Sequence, residues 1–116
     1  MNLNEYAKEC HEANLRWWKD PTTGERVERN FGELIALAHS ELSEALDGHR
    51  KDIMDDHLPH RKAVEVEIVD CLIRLFDLSA AQGYDLDSAY REKMVYNAQR
   101  ADHTEAARLQ AGGKRY

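Results

Sequence analysis

The chain has 116 residues, of which 42% are hydrophobic and 33% are charged, and its formal net charge is −6 at pH 7. This composition is typical of a globular protein with one hydrophobic core, and it excludes a disordered chain or a second catalytic domain. The acidic balance argues against a nucleic-acid surface, because such surfaces draw on clustered lysine and arginine. No apolar run approaches the roughly 20 residues of a membrane span. We therefore predict neither a nucleic-acid nor a membrane partner.

The N-terminal residues and the cysteines favour a cytoplasmic location. The first residues, MNLNEYAKECHE, have neither the basic start nor the apolar stretch of a signal peptide. Cys10 and Cys71 are the only cysteines, and Cys71 lies on the apolar stripe of its segment. We expect two free thiols rather than a structural disulfide.

The first two predicted helices are bounded by clear local signals. The first is expected over residues 4–19, because Pro21 and Gly24 in the following loop cannot continue a helix. Asn30 opens the second helix, with a glutamate three residues later at capping-box spacing. Gly48 supplies the expected C-terminal stop of this helix.

Two more helices complete the chain. The third is expected to follow the run HLP at 57–59 and to continue to about Gln82, where Gly83 closes it. Asp85 or Asp87 caps the fourth. No stretch alternates apolar and polar residues as a half-buried strand would, so the pattern predicts an all-α fold.

The third predicted helix is apolar around much of its circumference. Val66, Val69, Leu72, Ile73 and Phe76 lie outside its main apolar stripe. A width of this kind indicates burial on two sides, for which a lone chain of this length has little room. We therefore expect a helical subunit interface, most simply a two-fold dimer.

Two carboxylate pairs lie on the second and third helices. These pairs are Glu41-x-x-Glu44 and Glu67-x-x-Asp70, and an i, i+3 spacing stacks two side chains on one helix face. Both pairs border apolar stripes, where an unpaired buried carboxylate costs several kcal/mol or takes up a proton. A shared Mg²⁺ or Mn²⁺ ion would compensate all four acids, because these ions prefer hard oxygen ligands.

Other interpretations of these acids remain open. Asp70 or Glu67 could pair with Arg74 on the same helix, and such charges are also common on solvated helix faces. Carboxylate clusters between helices also build di-iron sites, but those use Glu-x-x-His motifs. None of the six histidines has a glutamate three residues before it. A site for one or more Mg²⁺ ions is the interpretation we favour.

The fourth predicted helix carries Lys93, Asn97 and Arg100, which recur at spacings of four and three residues. Lysine and arginine suit phosphate oxygens, and asparagine suits a sugar hydroxyl or a base edge. A solvated basic helix end is the alternative.

Trp17 and Trp18 are adjacent, so their side chains point about 100° apart on a helix and cannot both enter one core stripe. We expect one indole to be buried and the other to stack on a nucleobase or to pack at a subunit interface. Trp17 is our candidate for the substrate contact.

At these residues the sequence resembles the MazG-type branch of the all-α nucleoside triphosphate pyrophosphohydrolases. The resemblance covers nearly the whole chain and rests on four segments: ELSE at 41–44, EIVD at 67–70, EKMVYNAQR at 92–100 and GGKRY at 112–116. It implies a single domain over 1–116, an α-helical bundle of four helices that dimerises or pairs dimers into tetramers.

The resemblance also implies an activity and roles for individual residues. The expected reaction is hydrolysis of a (d)NTP between the α and β phosphates, which gives a nucleoside monophosphate and pyrophosphate. Mg²⁺ would be held by the four acids, and Lys93 and Asn97 would contact the nucleotide. One departure is visible, because many relatives carry a double glutamate where this chain has Ser40 before Glu41.

The implied mechanism assigns the remaining candidates. Glu41 or Glu44 would orient or deprotonate the water that attacks the α-phosphorus. Lys93, with Arg74 or Arg100, would hold the phosphates, and Asn97 would hold the sugar. The biological role would be nucleotide-pool control or clearance of noncanonical nucleotides, with a narrow dUTP or dCTP hydrolase as a variant. The non-enzymatic alternative is an acidic helical dimer that binds another protein.

Overall fold

A computed structural model of the chain describes residues 1–100, 105–110 and 112–113. The secondary structure of these residues consists of helices and two isolated β-bridges, which confirms the all-α prediction. The helices are α1 (Leu3–Ala13), a 3₁₀ helix (Leu15–Trp18), α2 (Phe31–Lys51), α3 (Ala63–Gln82), α4 (Leu86–Gln99) and α5 (Glu105–Leu109). No helix in these ranges is long and apolar enough to cross a membrane.

The chain divides into two compact units, Met1–Tyr84 and Asp85–Tyr116. The first unit contains α1, α2 and α3, and the second contains α4 and α5. A single four-helix MazG-like bundle stays a prediction.

The first helix is shorter than expected. α1 ends at Ala13 rather than at Lys19, because both the backbone N–H and the side-chain amide of Asn14 donate to the Cys10 carbonyl. These bonds satisfy a terminal helix carbonyl, and the chain tightens into the 3₁₀ helix Leu15–Trp18. The tighter turn places the second tryptophan in the core.

α2 begins as predicted but ends later. Asn30 is the N-cap, and its side-chain oxygen accepts a hydrogen bond of 3.0 Å from the Glu33 backbone N–H. The prediction that Gly48 ends the helix is wrong, because Gly48 is buried within α2 and Asp52 is the left-handed C-cap. A Cβ at position 48 would lie 3.0 Å from the Cβ of Ala63, at the start of α3. The missing side chain therefore lets two helices approach closely.

Two other predicted helix ends agree with the structure, whereas α3 begins at Ala63, with Lys62 as its N-cap, rather than directly after Pro59. α3 ends at Gln82, and Gly83 adopts the left-handed conformation with φ of 72°. Asp85 caps α4 by accepting a hydrogen bond from the Ser88 backbone N–H. These ends are set by side chains within three residues, so the sequence alone could locate them.

α3 is the central helix of the first unit and contacts both α1 and α2. The core cluster combines Trp18 with Leu34 of α2 and Leu78 of α3. Trp18 is 2% exposed, the lowest fraction in this core. Cys10 and Cys71 are both free thiols, as predicted.

Apolar side chains also remain at the surface of each unit. Within the first unit, a groove of about 920 Å³ between α1 and α3 is lined mainly by apolar residues, including Leu3, Tyr6, Val69, Leu72 and Phe76. In the second unit the exposed large hydrophobic residues of α4 are Tyr90, Met94, Val95 and Tyr96. Burial of α3 against a second subunit, and with it the dimer, stays a prediction.

Candidate functional site

Three of the four predicted acids meet between α2 and α3. Glu41 of α2 and Glu67 and Asp70 of α3 each offer a carboxylate oxygen that lies within 4.8 Å of the other two. We call these three residues the acidic cluster. Glu44 is exposed and interacts with Glu41 and Glu67 at the edge of the cluster. The structure therefore brings together the acids of two helices that are separated in sequence by more than 20 residues.

Glu67 is the member of the cluster with the least compensation. Its Oε2 atom is fully buried, and no donor among the described residues gives it a hydrogen bond. Burial, together with the carboxylates of Glu41 and Glu44 beside it, raises the pKa of Glu67 from 4.5 to about 8. Without a cation, the Glu67 carboxyl group therefore holds a proton at neutral pH and shares it with Glu41 and Glu44. The reason is that two adjacent carboxylates do not both ionise easily.

The other two acids have shifts in opposite directions. Burial favours the neutral form of Glu41, but hydrogen bonds from Glu67, Arg74 and Glu44 outweigh it and lower the pKa. Burial raises the pKa of Asp70, with further contributions from the charges of Glu41 and Asp55. Glu41 is thus the carboxylate of this cluster that ionises first.

Arg74 compensates Glu41 across the helix interface. Its Nε donates to Glu41 Oε1 at 2.9 Å, and the two side chains are 40% and 12% exposed. The sequence suggested a pair between Arg74 and either Asp70 or Glu67 on its own helix, so the partner on α2 corrects that interpretation. The cross-helix pair places a guanidinium directly beside the acidic cluster.

A cavity of about 450 Å³ opens beside the acidic cluster. Its lining combines acids, arginines and an indole: Asn14, Trp17, Arg29, Glu41, Asp70, Ile73, Arg74 and Asp77. Trp17 is 57% exposed, and the guanidinium of Arg16 lies 5.1 Å from its ring centroid. The expectation of one buried and one available tryptophan agrees with the structure, and the available one is Trp17.

Asp77, which lines this cavity, belongs to a buried hydrogen-bond network. Asp77 Oδ1 accepts from His11 Nδ1 at 2.8 Å and from Trp18 Nε1 at 3.0 Å, and Asp77 is 8% exposed. The network joins α1, the 3₁₀ helix and α3, so it fixes the backbone that carries Trp17. Sequence reasoning missed Asp77 and His11, since they are 66 residues apart and belong to no local motif.

The loop after Trp18 is held by its own hydrogen bonds. Asp20 Oδ1 accepts from the backbone N–H groups of Thr22 and Thr23, and these bonds lower the pKa of Asp20. The loop returns over the core, so that the guanidinium of Arg29 lies 5.4 Å from the Trp18 ring centroid. Sequence reasoning also missed Arg29, whose side chain lines the cavity.

Asp55 is a further acid near the cluster. Its Oδ2 accepts backbone hydrogen bonds from His57 at 3.0 Å and Leu58 at 2.8 Å, which hold the side chain in place. Its charge raises the pKa of Asp70, so the loop between α2 and α3 adds negative potential to the site. The signal in the sequence was the Asx turn at this loop, which says nothing about where the turn lies in the fold.

The basic candidates lie on α4, in the second unit. Lys93 Nζ and Arg100 Cζ lie 4.8 and 5.8 Å from the Tyr96 ring centroid. Asn97 Oδ1 is buried and accepts no hydrogen bond among the described residues. The GGKRY segment falls mostly outside the described residues, which include only Gly112 and Gly113 of it. Roles in nucleotide binding for Lys93, Asn97 and Arg100 stay predictions.

The donor set of the acidic cluster fits a divalent cation. Three carboxylates converge, and one of their buried oxygens accepts no hydrogen bond from residues 1–100, 105–110 or 112–113. All the candidate ligand atoms are hard oxygens. Glu41, Glu67 and Asp70 could hold such an ion, with Glu44 at the exposed edge. The same acids without an ion would retain a shared proton, as the raised pKa of Glu67 indicates.

No protein-family model, curated protein or solved structure gives a significant match to this chain.

Proposed function

We propose that this protein is a Mg²⁺-dependent nucleoside triphosphate pyrophosphohydrolase, which converts a (d)NTP to a (d)NMP and pyrophosphate. The observation that carries this proposal is the acidic cluster of Glu41, Glu67 and Asp70, with its buried oxygen that accepts no hydrogen bond from the part of the chain that the structure describes. The resemblance of the two acidic motifs to the MazG-type enzymes supplies the reaction. Mn²⁺ is a possible substitute because it has the same preference for oxygen ligands.

The cavity is lined by both arginines and acids, which suits a phosphate substrate that binds together with a divalent cation. The chain has a formal net charge of −6, so a triphosphate needs local positive charge to approach the acids. Arg74 and Arg29 line the cavity and offer guanidinium groups that suit phosphate oxygens. A divalent cation, when bound, supplies charge neutralisation at the phosphates and favours ionisation of water.

The roles of the residues in the reaction follow from their environments. Glu41 or Glu44 accepts the proton of the water that attacks the α-phosphorus. The lowered pKa of Glu41 keeps this carboxylate ionised and so able to accept a proton. The bond to the bridging α–β oxygen breaks, and pyrophosphate leaves. Arg74 holds the phosphates, and the exposed indole of Trp17 offers a stacking surface for the base.

The enzyme is proposed to act as a homodimer or a dimer of dimers. Val69 and Leu72 of α3 are exposed large hydrophobic residues in the groove between α1 and α3. Burial of such a groove against a second copy would remove apolar area from water, which is the main favourable contribution to most associations.

The same surface favours the second candidate, a non-catalytic helical module that binds another protein. The groove is apolar and open, and exposed patches of this kind commonly mark interaction sites. A module of this kind would bind its partner in the presence of a chelator, whereas the enzyme would be inactive without Mg²⁺.

The experiment that tests the enzyme is hydrolysis of a panel of canonical and noncanonical (d)NTPs in H₂¹⁸O with Mg²⁺. We expect monophosphate and pyrophosphate, with ¹⁸O in the monophosphate because water attacks the α-phosphorus. A chelator should abolish turnover. Diphosphate and phosphate as products would contradict α–β cleavage, and no turnover with any nucleotide would favour the binding module.

A further inference from the structure

The pair between Arg74 and Glu41 occupies a carboxylate that the proposed function needs for a cation. Glu41 Oε1 accepts from Arg74 Nε at 2.9 Å, so one oxygen of the candidate ligand set is already engaged. Glu41 is also the residue that links α2 to the two acids of α3 in the acidic cluster. The positive charge of the guanidinium on Glu41 repels a cation that approaches the same carboxylate, and so weakens cation binding there.

Arg74 borders the cavity into which a substrate phosphate would have to bind. The Arg74 side chain is 40% exposed, and it lines the same cavity of about 450 Å³ as Glu41 and Asp70. A guanidinium that leaves a carboxylate finds an equivalent partner in a phosphate, because both present paired oxygens to its planar donors. The Glu41 carboxylate and a substrate phosphate are therefore chemically equivalent partners for Arg74. The carboxylate is always present, whereas the phosphate is present only when substrate is bound.

We propose that Arg74 couples cation binding to phosphate binding, by holding Glu41 when the site is empty and moving to the substrate phosphates when the cation takes Glu41. This inference rests on the proposed function. Coupling of this kind is reciprocal: the cation favours binding of the phosphates, and the phosphates favour binding of the cation by the same factor. It limits the occupation of the acidic cluster by a cation when no nucleotide is present.

The first test follows the Arg74 Nε–H signal by ¹⁵N NMR in wild-type protein, assigned by its loss in Arg74→Gln. Without ligands we expect a sharp signal, because the hydrogen bond to Glu41 protects the Nε–H from exchange with solvent. At saturating Mg²⁺ the signal should broaden, because this bond is lost and exchange becomes faster. Addition of inorganic pyrophosphate should restore a protected signal at a new position. A signal that stays unchanged at saturating Mg²⁺ would overturn the proposal.

Arg91 provides the internal control for this test. Its Nε also donates to a carboxylate at 2.9 Å, that of Asp87 on the same helix, and it lies outside the proposed site. Its signal should not change when Mg²⁺ is added. Backbone amide shifts at Glu41, Glu67 and Asp70 report separately on whether Mg²⁺ binds at all.

The second test measures Mn²⁺ affinity by electron paramagnetic resonance, with Mn²⁺ alone as the probe. Arg74→Gln should bind Mn²⁺ about threefold to tenfold more tightly than wild type, which corresponds to the loss of one partly exposed competing ion pair. Arg91→Gln, which removes the same charge and a pair of the same length, should match wild type. Equal or weaker binding by Arg74→Gln would contradict the competition.

The outcomes distinguish the two proposals. If neither Mg²⁺ nor Mn²⁺ binds to any variant, the metal assignment in the proposed function fails and the coupling fails with it. If cations bind and the enzyme is active, but Arg74 Nε–H keeps its position, the coupling alone is wrong.

Discussion

Asp77 and Glu67 are two carboxylates on the same helix, but their surroundings differ. Asp77 accepts hydrogen bonds from the His11 imidazole and the Trp18 indole, so its negative charge is compensated by donors of the protein. Glu67 has a buried oxygen without any donor among the described residues, and its neighbours are other carboxylates. The first arrangement stabilises a fold, whereas the second calls for a proton or a cation. This difference separates a structural acid from a candidate functional acid.

The largest expected effect is on activity and follows from the replacement of Glu67. Glu67→Gln should lower Mg²⁺-dependent hydrolysis at least about a hundredfold, because a charged ligand is lost while the volume is kept. Its helices should remain intact in circular dichroism. Glu65→Gln, an exposed change of the same charge on the same helix, should keep wild-type turnover. Full activity of Glu67→Gln would contradict the metal assignment.

Replacement of Asp77 should instead affect stability. Asp77→Ala leaves the Trp18 indole N–H and the His11 imidazole without their acceptor, and we expect a loss of about 2–4 kcal/mol in the free energy of unfolding. Urea denaturation measures this loss. The exposed control Asp47→Ala, which removes a surface pair with Lys51, should change stability by less than about 0.5 kcal/mol. A small effect of Asp77→Ala would mean that the buried network contributes little.

The pH dependence of stability should distinguish the two carboxylates without substrate. The pKa of Glu67 is raised from 4.5 to about 8, so between these values the folded state binds a proton that the unfolded state releases. Stability of the metal-free protein should therefore fall as pH rises from about 5 to 8, and the midpoint of thermal unfolding should decrease. Glu67→Gln should flatten this decrease.

The effect of Mg²⁺ on thermal unfolding should also depend on the protonation of Glu67. A cation that binds the folded state stabilises it, so Mg²⁺ should raise the unfolding midpoint more at pH 8, where a larger fraction of Glu67 is ionised, than at pH 6. An unfolding midpoint that does not depend on pH or Mg²⁺ in wild type would show that Glu67 is not in the environment described here.

The smallest expected effect comes from Gly48, which lets α2 approach α3. Gly48→Ala gains helix propensity, but its Cβ would lie 3.0 Å from Ala63 Cβ, so we expect a net loss of about 1 kcal/mol. The separation of the helices should also reduce the contact between Glu41 and Glu67 and lower the pH at which stability falls. The hydrogen bonds of Asp77 do not involve α2, so the bond from the Trp18 indole to Asp77 should be kept, although Trp18 also packs against Leu34 of α2. Ser43→Ala, an exposed change on α2, is the control.

Local sequence signals predicted the four main helices, but only some of the residues at which these helices begin and end. The caps of Asn30, Gly83 and Asp85 depend on bonds within a few residues, and the sequence located them. A glycine near the end of a helical pattern usually indicates a C-cap, but Gly48 instead allows α2 to pack against α3. The prediction that α2 ends at Gly48 was therefore wrong. The distinction depends on a residue of another helix, which no local pattern contains.

The sequence predicted which acids belong to the candidate site, but not which residues form ion pairs and hydrogen bonds with one another. The i, i+3 spacing indicated which acids share a helix face, and the structure brings three of the four together. Arg74 could reach carboxylates on its own helix by spacing alone, yet it pairs with Glu41 of α2. The sequence did not place Asp77 or Asp55 at the site, because their roles arise from contacts with distant segments.

By itself, the sequence determined the helical class, the caps Asn30, Gly83 and Asp85, and the acids that border the core, because these depend on periodicity and on neighbours within one helical turn. Tertiary structure alone decided which acids converge, which carboxylate Arg74 compensates, and which acid has a buried oxygen that accepts no hydrogen bond from the described residues. The physical reason is that burial and charge compensation depend on the approach of helices that are distant in sequence, such as α2 and α3 at Gly48 and Ala63. That approach leaves Glu67 facing carboxylates, while the same helix gives Asp77 its donors.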